Sequence, residues 1–321
     1  MEGYLGIDVG SVSTNLVVID SEGGVLSSVY LRTRGQPITA VQEGLRKIGG
    51  DLGEDVEIKG VGTTGSARTL SGVMVGADTV KNEITAHAVA ATLKVPGAQT
   101  VVEIGGQDSK IIILREGIVT DFAMNTVCAA GTGSFLDHQA ERLNIPIEEF
   151  GALALQSKNP VRIAGRCSVF AESDMIHKQQ MGHLLPDIVA GLCDALVRNY
   201  LNNVGKGKDI LSPVIFQGGV AANSGIKRSL EKALELEITV PKYFDVMGAI
   251  GAALLSQGVV RERKKSSFRG FAVSDMNYEA SSFECKGCPN MCEIVNIAVD
   301  GQVLARWGGR CGKWENLQET G

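Results

Sequence analysis

The chain has 321 residues, of which 44% are hydrophobic and 40 are glycine, a composition that suits an α/β protein of two compact lobes with tight turns. Its net charge of −5 and the lack of a basic stripe argue against nucleic acid as the main partner. No apolar stretch reaches the roughly 20 residues of a membrane span and no signal-peptide pattern is found, so we expect a cytoplasmic protein. Its seven cysteines then point to metal ligands before disulfides.

The first motif is the segment Tyr4 to Asp20, YLGIDVGSVSTNLVVID, which predicts two apolar strands joined by a short polar loop. A glycine in such a loop lets backbone N–H groups approach an anion, and hydroxyls supply further donors. Asp8 ends the first strand, where a carboxylate can hold Mg²⁺ through water. A single loop of this kind is more often an ordinary tight turn. The predicted phosphate-binding residues are Gly10, Ser11, Ser13 and Thr14.

The next elements alternate between strand and helix. Residues 23–34 and 56–65 predict strands, and apolar residues at helical spacing predict a helix over Ile38 to Ile48. Residues 80–93 predict a helix with Glu83 and His87 one turn apart on one face. Because no third ligand accompanies this pair, we interpret it as a satisfied pair on the surface or in a cleft.

After a Pro-Gly break, residues 101–114, VVEIGGQDSKIIIL, repeat the opening strand, loop and strand. Glu103 stands where the first copy has Asp8, and we expect the two carboxylates to organise Mg²⁺ and its waters. Gly105 and Gly106 form the bend of the second loop.

The second loop also carries three polar side chains suited to phosphoryl transfer, which depends on positioning and charge stabilisation. Lys110 is predicted to neutralise the phosphates, and Gln107 or Asp108 to orient the attacking water. A glutamate at position 103, in place of aspartate, leaves the hydrolytic geometry open.

Two solitary cysteines follow. Cys128 and Cys167 each stand just ahead of a helical pattern, where unpaired N–H groups favour an anionic ligand. An iron–sulfur cubane needs about four thiolates, and two chains related by a two-fold axis would supply them. The alternative is that both are buried free cysteines. Cys193 shows that alternative, since it falls on an apolar helical stripe and is interpreted as core.

Residues 214–234, VIFQGGVAANSGIKRSLEKAL, predict a strand, a glycine bend and a helix whose start can pack against a flat ring. Residues 245–256 predict a helix of small residues that permits close helix approach. The predicted nucleotide-binding residues of this region are Gly218, Gly219, Val220 and Asn223.

The last segment contains the remaining four cysteines. Cys285, Cys288 and Cys292 precede a predicted strand, and Cys311 follows the return strand of a hairpin that turns at Asp300 and Gly301. The hairpin predicts that the four thiols converge on Zn²⁺ or on a second [4Fe–4S] cluster. The alternative is four cysteines without metal.

The strand–loop segments together resemble the superfamily of acetate and sugar kinases, seventy-kilodalton heat-shock chaperones and actin. That resemblance implies two duplicated ribonuclease H-like lobes with ATP in the cleft between them. It places the first lobe at residues 1–96, with a crossing helix from 245–262, and the second lobe at 97–244. Residues 263–321 form a cysteine-rich extension, which resembles a segment of longer, multidomain members.

The cysteine segments narrow the resemblance over about residues 1–260. They resemble the activators of 2-hydroxyacyl-CoA dehydratases, the group that includes the ATPase subunits of benzoyl-CoA reductases. This implies a homodimer with a [4Fe–4S] cluster bridging the two subunits at Cys128 and Cys167. It also implies that ATP hydrolysis drives one low-potential electron from ferredoxin or flavodoxin to a dehydratase-like or reductase partner. Which acyl-CoA is served stays open.

Two other functions are compatible with the superfamily. A small-molecule kinase would use Asp108 as the base for an acceptor hydroxyl, but it would leave Cys128 and Cys167 unexplained. A chaperone or cytoskeletal ATPase is the other, although the chaperone's substrate domain is missing and the chain is short for actin.

Overall fold

The computed structural model describes residues 1–53, 55–125, 127–263 and 265–314. Within these residues, thirteen strands form two five-stranded sheets and one three-stranded sheet. No helix in this described part is long and apolar enough to cross a membrane.

The first sheet has the strand order β3-β2-β1-β4-β5. Strands β1, β2 and β3 form an antiparallel meander, and β4 and β5 extend it in parallel. The strands are β1 Glu2–Val9, β2 Ser13–Ile19, β3 Val25–Arg32, β4 Glu57–Thr64 and β5 Thr79–Val80. The accompanying helices are α1 Pro37–Asp51, α2 Arg68–Val75 and α3 Glu83–Lys94.

The second sheet repeats this topology, with the order β10-β9-β6-β7-β8. Here too an antiparallel meander of three strands is extended in parallel by two more. Its strands are β6 Thr100–Ile104, β7 Ser109–Arg115, β8 Ile118–Asn125, β9 Val214–Gln217 and β10 Ile238–Thr239. Its helices are α4 Gly133–Leu143, α5 Ile147–Leu155, α6 Ser168–Gln180, α7 Leu185–Tyr200 and α8 Ser224–Leu234. The equal topologies confirm the predicted duplicated lobes.

The small-residue segment forms the helix α9, Met247–Arg263, which packs against β1, β4 and α3. Glycines make this close packing possible on both sides. A methyl group at Gly6 or Gly62 would overlap a carbonyl oxygen of α9, and one at Gly251 would overlap the carbonyl oxygen of Ala86 in α3. The helix therefore lies directly on the strand that carries Asp8.

The predicted early elements are confirmed with small shifts. The helix expected over Ile38 to Ile48 is α1. The helix expected from residue 80 begins only at Glu83, because Val80 belongs to β5 and the Asn82 side chain caps the helix by accepting a 2.9 Å hydrogen bond from the Thr85 N–H. Cys193 is fully buried in α7, as predicted.

The third sheet lies in the tail and consists of β11 Tyr278–Glu284, β12 Glu293–Val299 and β13 Gln302–Trp307. The predicted hairpin turn is confirmed, since Asp300 and Gly301 both adopt positive φ angles, 49° and 78°. This sheet packs on the first lobe. Tyr278 and Ile297 belong to the same buried apolar cluster as Leu5 and Ile7 of β1, and the Tyr278 hydroxyl donates to the carbonyl of Met74 at 3.2 Å.

Candidate functional site

A cleft of about 770 Å³ lies between the two sheets, and it gathers nearly all the residues predicted to bind nucleotide. The predicted residues that line it are Asp8, Gly10, Ser11, Ser13, Glu103, Gly105, Gly106, Gln107, Asp108, Lys110, Gly218, Gly219, Val220 and Asn223. Thr14 is the exception. It is fully buried, and its hydroxyl shares a 2.9 Å hydrogen bond with that of Thr33, so it stabilises the loop without lining the cleft.

The two glycine loops face each other across the cleft. In the first, the Gly10 N–H donates to the carbonyl of Ser13 at 2.8 Å, and in the second the Gly105 N–H donates to that of Asp108 at 3.0 Å. The loops are close, because a methyl group at Gly106 would lie 2.7 Å from the Val12 side chain. The second loop therefore has no room for a side chain at this position. A loop without side chains lets its backbone N–H groups approach a phosphate closely.

Lys110 is the centre of a buried charge network. Its ammonium group, 2% exposed, contacts Glu83 at 2.7 Å, Glu103 at 2.9 Å and Asp108 at 2.8 Å. Burial alone would lower the pKa of Lys110, but the three carboxylates raise it above its usual range. One cation thus faces three carboxylates, and Asp8 adds a fourth to the same cleft. Carboxyl oxygens are the ligands that a hard divalent cation prefers, so this cluster is suited to bind one.

Two carboxyl groups of the cleft have raised pKa values. Burial, together with the negative charge of Glu83, raises the pKa of Asp8 to about 8. Burial and the charge of Asp108 raise the pKa of Glu103 to about 7, although Lys110 opposes the shift. Asp8 projects over α9 beside Gly248, where any side chain would collide with the carboxylate. A cation at these two groups would restore their ionised forms.

The helix α3 contributes two cleft residues whose roles the sequence did not assign. Glu83 and His87 do not pair with each other: Glu83 contacts Lys110, and the His87 Nδ1 shares a 2.8 Å hydrogen bond with the Gln217 amide. Burial, with Lys110 nearby, lowers the pKa of His87 to about 4, so its imidazole is neutral near pH 7. In the sequence, the spacing of Glu83 and His87 on one helical face was the signal that marked them. It could not indicate their partners, Lys110 and Gln217, which lie in strands far away in the chain.

The end of the cleft opposite the charged floor is lined by α4, α5 and the turn after β9. Leu136 and Ile147 provide apolar surface there, and Gly151 keeps the wall open. The turn begins at Gly218, whose φ of 87° favours glycine. This wall is suited to a flat ring. The sequence predicted the glycine turn and a helix after Cys128, but it did not predict that α4 and α5 line the cleft.

The cysteines predicted to hold a cluster lie on neighbouring loops of the second lobe. Cys128 follows β8, and Cys167 is the N-cap of α6. The Cys128 Sγ lies 3.9 Å from the carbonyl oxygen of Arg166, the residue before Cys167. The Asn199 amide joins the two loops, because it donates to the Cys128 Sγ at 3.6 Å and to the Gly165 carbonyl at 2.6 Å.

The surroundings of these two thiols fit a cluster shared with a second chain. Both cysteines are partly exposed, and Val127, Val169 and Phe170 beside them are 94%, 66% and 65% exposed. Within the described residues, no group of three or more His, Cys, Asp or Glu side chains is placed to bind one metal ion. One chain therefore offers two thiolates beside an uncovered apolar surface, and a cubane requires further ligands from elsewhere.

The nucleotide loop and the first cysteine loop are in direct contact. The N–H groups of Gly133 and Ser134, at the start of α4, donate to the carbonyls of Gly105 and Gly106, both at 2.8 Å. The Ser134 hydroxyl donates to the Gly106 carbonyl as well, at 2.5 Å. Since α4 begins five residues after Cys128, the start of this helix links the phosphate loop to the cysteine loop.

The four tail cysteines lie at one end of the third sheet, between β11 and β12 and after β13. The hairpin returns Cys311 to the same end of the sheet, but the four sulfurs form no metal-binding group in the described chain. Cys288 and Cys311 are exposed. The Cys285 sulfur accepts a 3.2 Å hydrogen bond from the Trp314 indole, which lowers the pKa of the Cys285 thiol. This sheet packs on the first lobe through Tyr278 and Ile297.

Comparison with known proteins identifies the family of the chain. The model of the BadF/BadG/BcrA/BcrD ATPase family matches residues 5–256. The chain belongs to this family. Among the relatives is the 2-hydroxyisocaproyl-CoA dehydratase activator of Clostridioides difficile, 34% identical over 81% of this chain and 97% of the relative. One of the benzoyl-CoA reductase subunits of Thauera aromatica is 30% identical over 78% of this chain and 91% of its own.

Solved structures of this ATPase family have the same fold. The activator of 2-hydroxyisocaproyl-CoA dehydratase from Clostridium difficile, with bound ADPNP, superposes with a TM-score of 0.74 at 32% identity, over 82% of this chain and 97% of that one. The (R)-2-hydroxyglutaryl-CoA dehydratase component A of Acidaminococcus fermentans gives a TM-score of 0.72 at 31% identity, over 80% and 98%. The tail lies beyond the matched residues 5–256.

Proposed function

We propose that this ATPase is a homodimeric iron–sulfur protein that uses ATP hydrolysis to pass single electrons to a partner. The partner is a 2-hydroxyacyl-CoA dehydratase or a related acyl-CoA reductase, the proteins that its relatives activate or belong to. The observation that carries the proposal is the direct hydrogen bonding between the phosphate loop at Gly105–Gly106 and the helix start that follows Cys128.

The ATPase part rests on the cleft. The loops at Gly10 and Gly105 would hold the phosphates, with Lys110 opposite their charge. Asp8 and Glu103 would hold Mg²⁺ through water, since no three side chains in the described chain are placed to bind a metal directly. Mg²⁺ supplies charge neutralisation for phosphoryl transfer, and Gln107 or Asp108 orients the attacking water.

The redox part rests on the donor set. Cys128 and Cys167 of two chains supply the four thiolates that a [4Fe–4S] cluster needs, and the exposed side chains around them supply apolar surface for a two-fold contact. Cys167 begins α6, whose N-terminal N–H groups favour an anionic cluster. The cluster supplies one-electron chemistry, and Asn199 holds its two cysteine loops together. The electron donor is an external carrier such as ferredoxin or flavodoxin.

Two substitutions test the two parts separately. Asp8→Asn should retain the fold and the iron but lose about a hundredfold or more of the ATPase rate, as removal of one preorganised charged group does elsewhere. Cys128→Ala should lose the bridging iron, about four atoms per dimer by the cubane stoichiometry, and shift the dimer toward monomer in analytical ultracentrifugation. An unchanged ATPase rate in the first variant, or a fully loaded bridging cluster in the second, contradicts the corresponding part.

A further inference from the structure

Three arginines surround a concavity of about 410 Å³ beside the Cys167 loop. Arg162 and Arg166 belong to the loop itself, and Arg198 reaches it from the end of α7. All three side chains are exposed. We call this surface, formed by Arg162, Arg166 and Arg198, the arginine patch.

The arginine patch carries charge that the described chain does not neutralise. None of its three guanidinium groups makes an ion pair with a described residue, and the chain as a whole has a net charge of −5. The carboxylate of Asp174 approaches the loop but accepts a hydrogen bond from the Ala164 N–H at 2.8 Å. A concentrated positive surface on an acidic protein steers an acidic partner to one place.

The patch shares its backbone with the cysteines. Arg166 directly precedes Cys167, and its carbonyl oxygen lies 3.9 Å from the Cys128 Sγ. Arg198 precedes Asn199, whose amide joins the two cysteine loops. A protein seated on the patch is therefore close to whatever the two thiols hold.

We propose that the arginine patch is the docking surface for an acidic one-electron carrier protein that reduces the cluster. This proposal rests on the proposed function, because it takes the cluster at Cys128 and Cys167 as the electron acceptor. In the step, the carrier is oxidised by one electron and the cluster is reduced by one, with no bond made or broken. The open concavity, far wider than one oxyanion, suits several carboxylates on a protein surface.

The first measurement does not require a loaded cluster. Binding of a purified, strongly acidic ferredoxin to full-length Cys128→Ala protein is followed by fluorescence anisotropy at increasing salt. Adding Arg162→Gln and Arg198→Gln should weaken binding by about tenfold at low ionic strength and flatten the salt dependence. The matched control replaces Arg228 and Lys232, two exposed basic residues of α8, with glutamine and should bind as before.

The second measurement uses the loaded wild-type background under anaerobic conditions. The Arg162→Gln/Arg198→Gln variant should accept electrons from reduced ferredoxin about tenfold more slowly than wild type. Its reduction by the methyl viologen radical, a small cation, and its ATPase rate should be unchanged.

The outcomes separate the docking surface from the cluster. Equal effects in the patch and control variants, or none in either, overturn the docking proposal. Binding of inorganic phosphate at the patch, with no binding of ferredoxin, overturns it in favour of a small-anion site. If the wild-type protein binds ferredoxin but contains no cluster that any reductant can reduce, the proposed function is contradicted. The docking surface is then still supported.

Discussion

Asp8, which we propose holds Mg²⁺ through water, also affects the stability of the fold. Its ordinary pKa is 3.8, and burial beside Glu83 raises the pKa to about 8. At a pH well below 3.8 the carboxyl is neutral in both the folded and the unfolded chain, so folding buries no charge at this position. As the pH rises to about 8, the unfolded chain releases this proton while the folded chain retains it. The stability that the neutral group gives is thus lost progressively across that window.

The free protein should therefore become more stable when Asp8 is replaced by its neutral isostere. In the absence of nucleotide and divalent cations, the melting temperature of Asp8→Asn should exceed that of wild type, and the gap should widen between about pH 4 and pH 8. Differential scanning fluorimetry across this range measures the gap. Glu103→Gln is the comparison variant: its change relative to wild type should be confined to the range from about pH 4.5 to pH 7, because the pKa of Glu103 is raised only to about 7. A gap that is constant with pH contradicts the raised pKa.

Single residues were predictable from the sequence where a local motif decides their place. Asp8 and the loop glycines line the cleft as predicted because a strand–loop–strand unit fixes them locally. Thr14 was misplaced because it lies one residue inside β2, where alternation turns its side chain away from the cleft. The three carboxylates around Lys110 were not predicted together, since Glu83 reaches it from another lobe.

At the scale of elements, α4 connects the phosphate loop to the loop that carries Cys128. The N–H groups of its first two residues donate to carbonyls of the phosphate loop, so these hydrogen bonds hold the start of the helix and the loop together. The turn before it, residues 129–132, leads directly to Cys128. Nothing in the cysteine motif alone signals this contact, because it depends on a tertiary pairing with residues 105 and 106.

Ser134→Ala tests this connection. It removes the 2.5 Å side-chain bond to Gly106 while the backbone bond at 2.8 Å remains. We expect the difference in cluster chelation rate between the ATP-bound and ADP-bound protein to fall by about three- to tenfold, the range of one hydrogen bond. Ser173→Ala is the control, because it removes a comparable 3.0 Å bond to a backbone carbonyl in α6. Equal behaviour of the two variants would show that α4 does not transmit the nucleotide state.

At the scale of the whole molecule, the repeated loops predicted two lobes, and the equal strand orders of the two sheets confirm them. The tail was predicted less well. Its hairpin followed from Asp300 and Gly301, but β11, with the sequence YEASSFE, lacks an apolar alternation that would mark it. Its place on the first lobe was not predictable, since Tyr278 and Ile297 meet residues far away in the chain.

The metal content of the tail is tested in the full-length chain. Replacing Cys128 and Cys167 together with alanine removes the ligands of the proposed bridging cluster, so any remaining zinc or iron belongs to the four tail cysteines. The sequence predicts one Zn or about four Fe per chain in this variant. The alternative is that the four tail cysteines hold no metal. Elemental analysis of the purified variant decides between these two expectations.

Because the tail sheet packs on the first lobe, we expect the tail and the first lobe to unfold together. Ile297 is fully buried within the apolar cluster that also contains the β1 core. Ile297→Ala should therefore destabilise the first lobe by about 2–5 kcal/mol, the cost of such a cavity. Val303→Ala, at a side chain 37% exposed on β13, should cost far less. Denaturant unfolding followed by the fluorescence of Trp307 and Trp314, both in the tail, and by far-ultraviolet circular dichroism measures both. A separate early transition of the tail probe alone would show that the sheet folds independently of the lobe on which it lies.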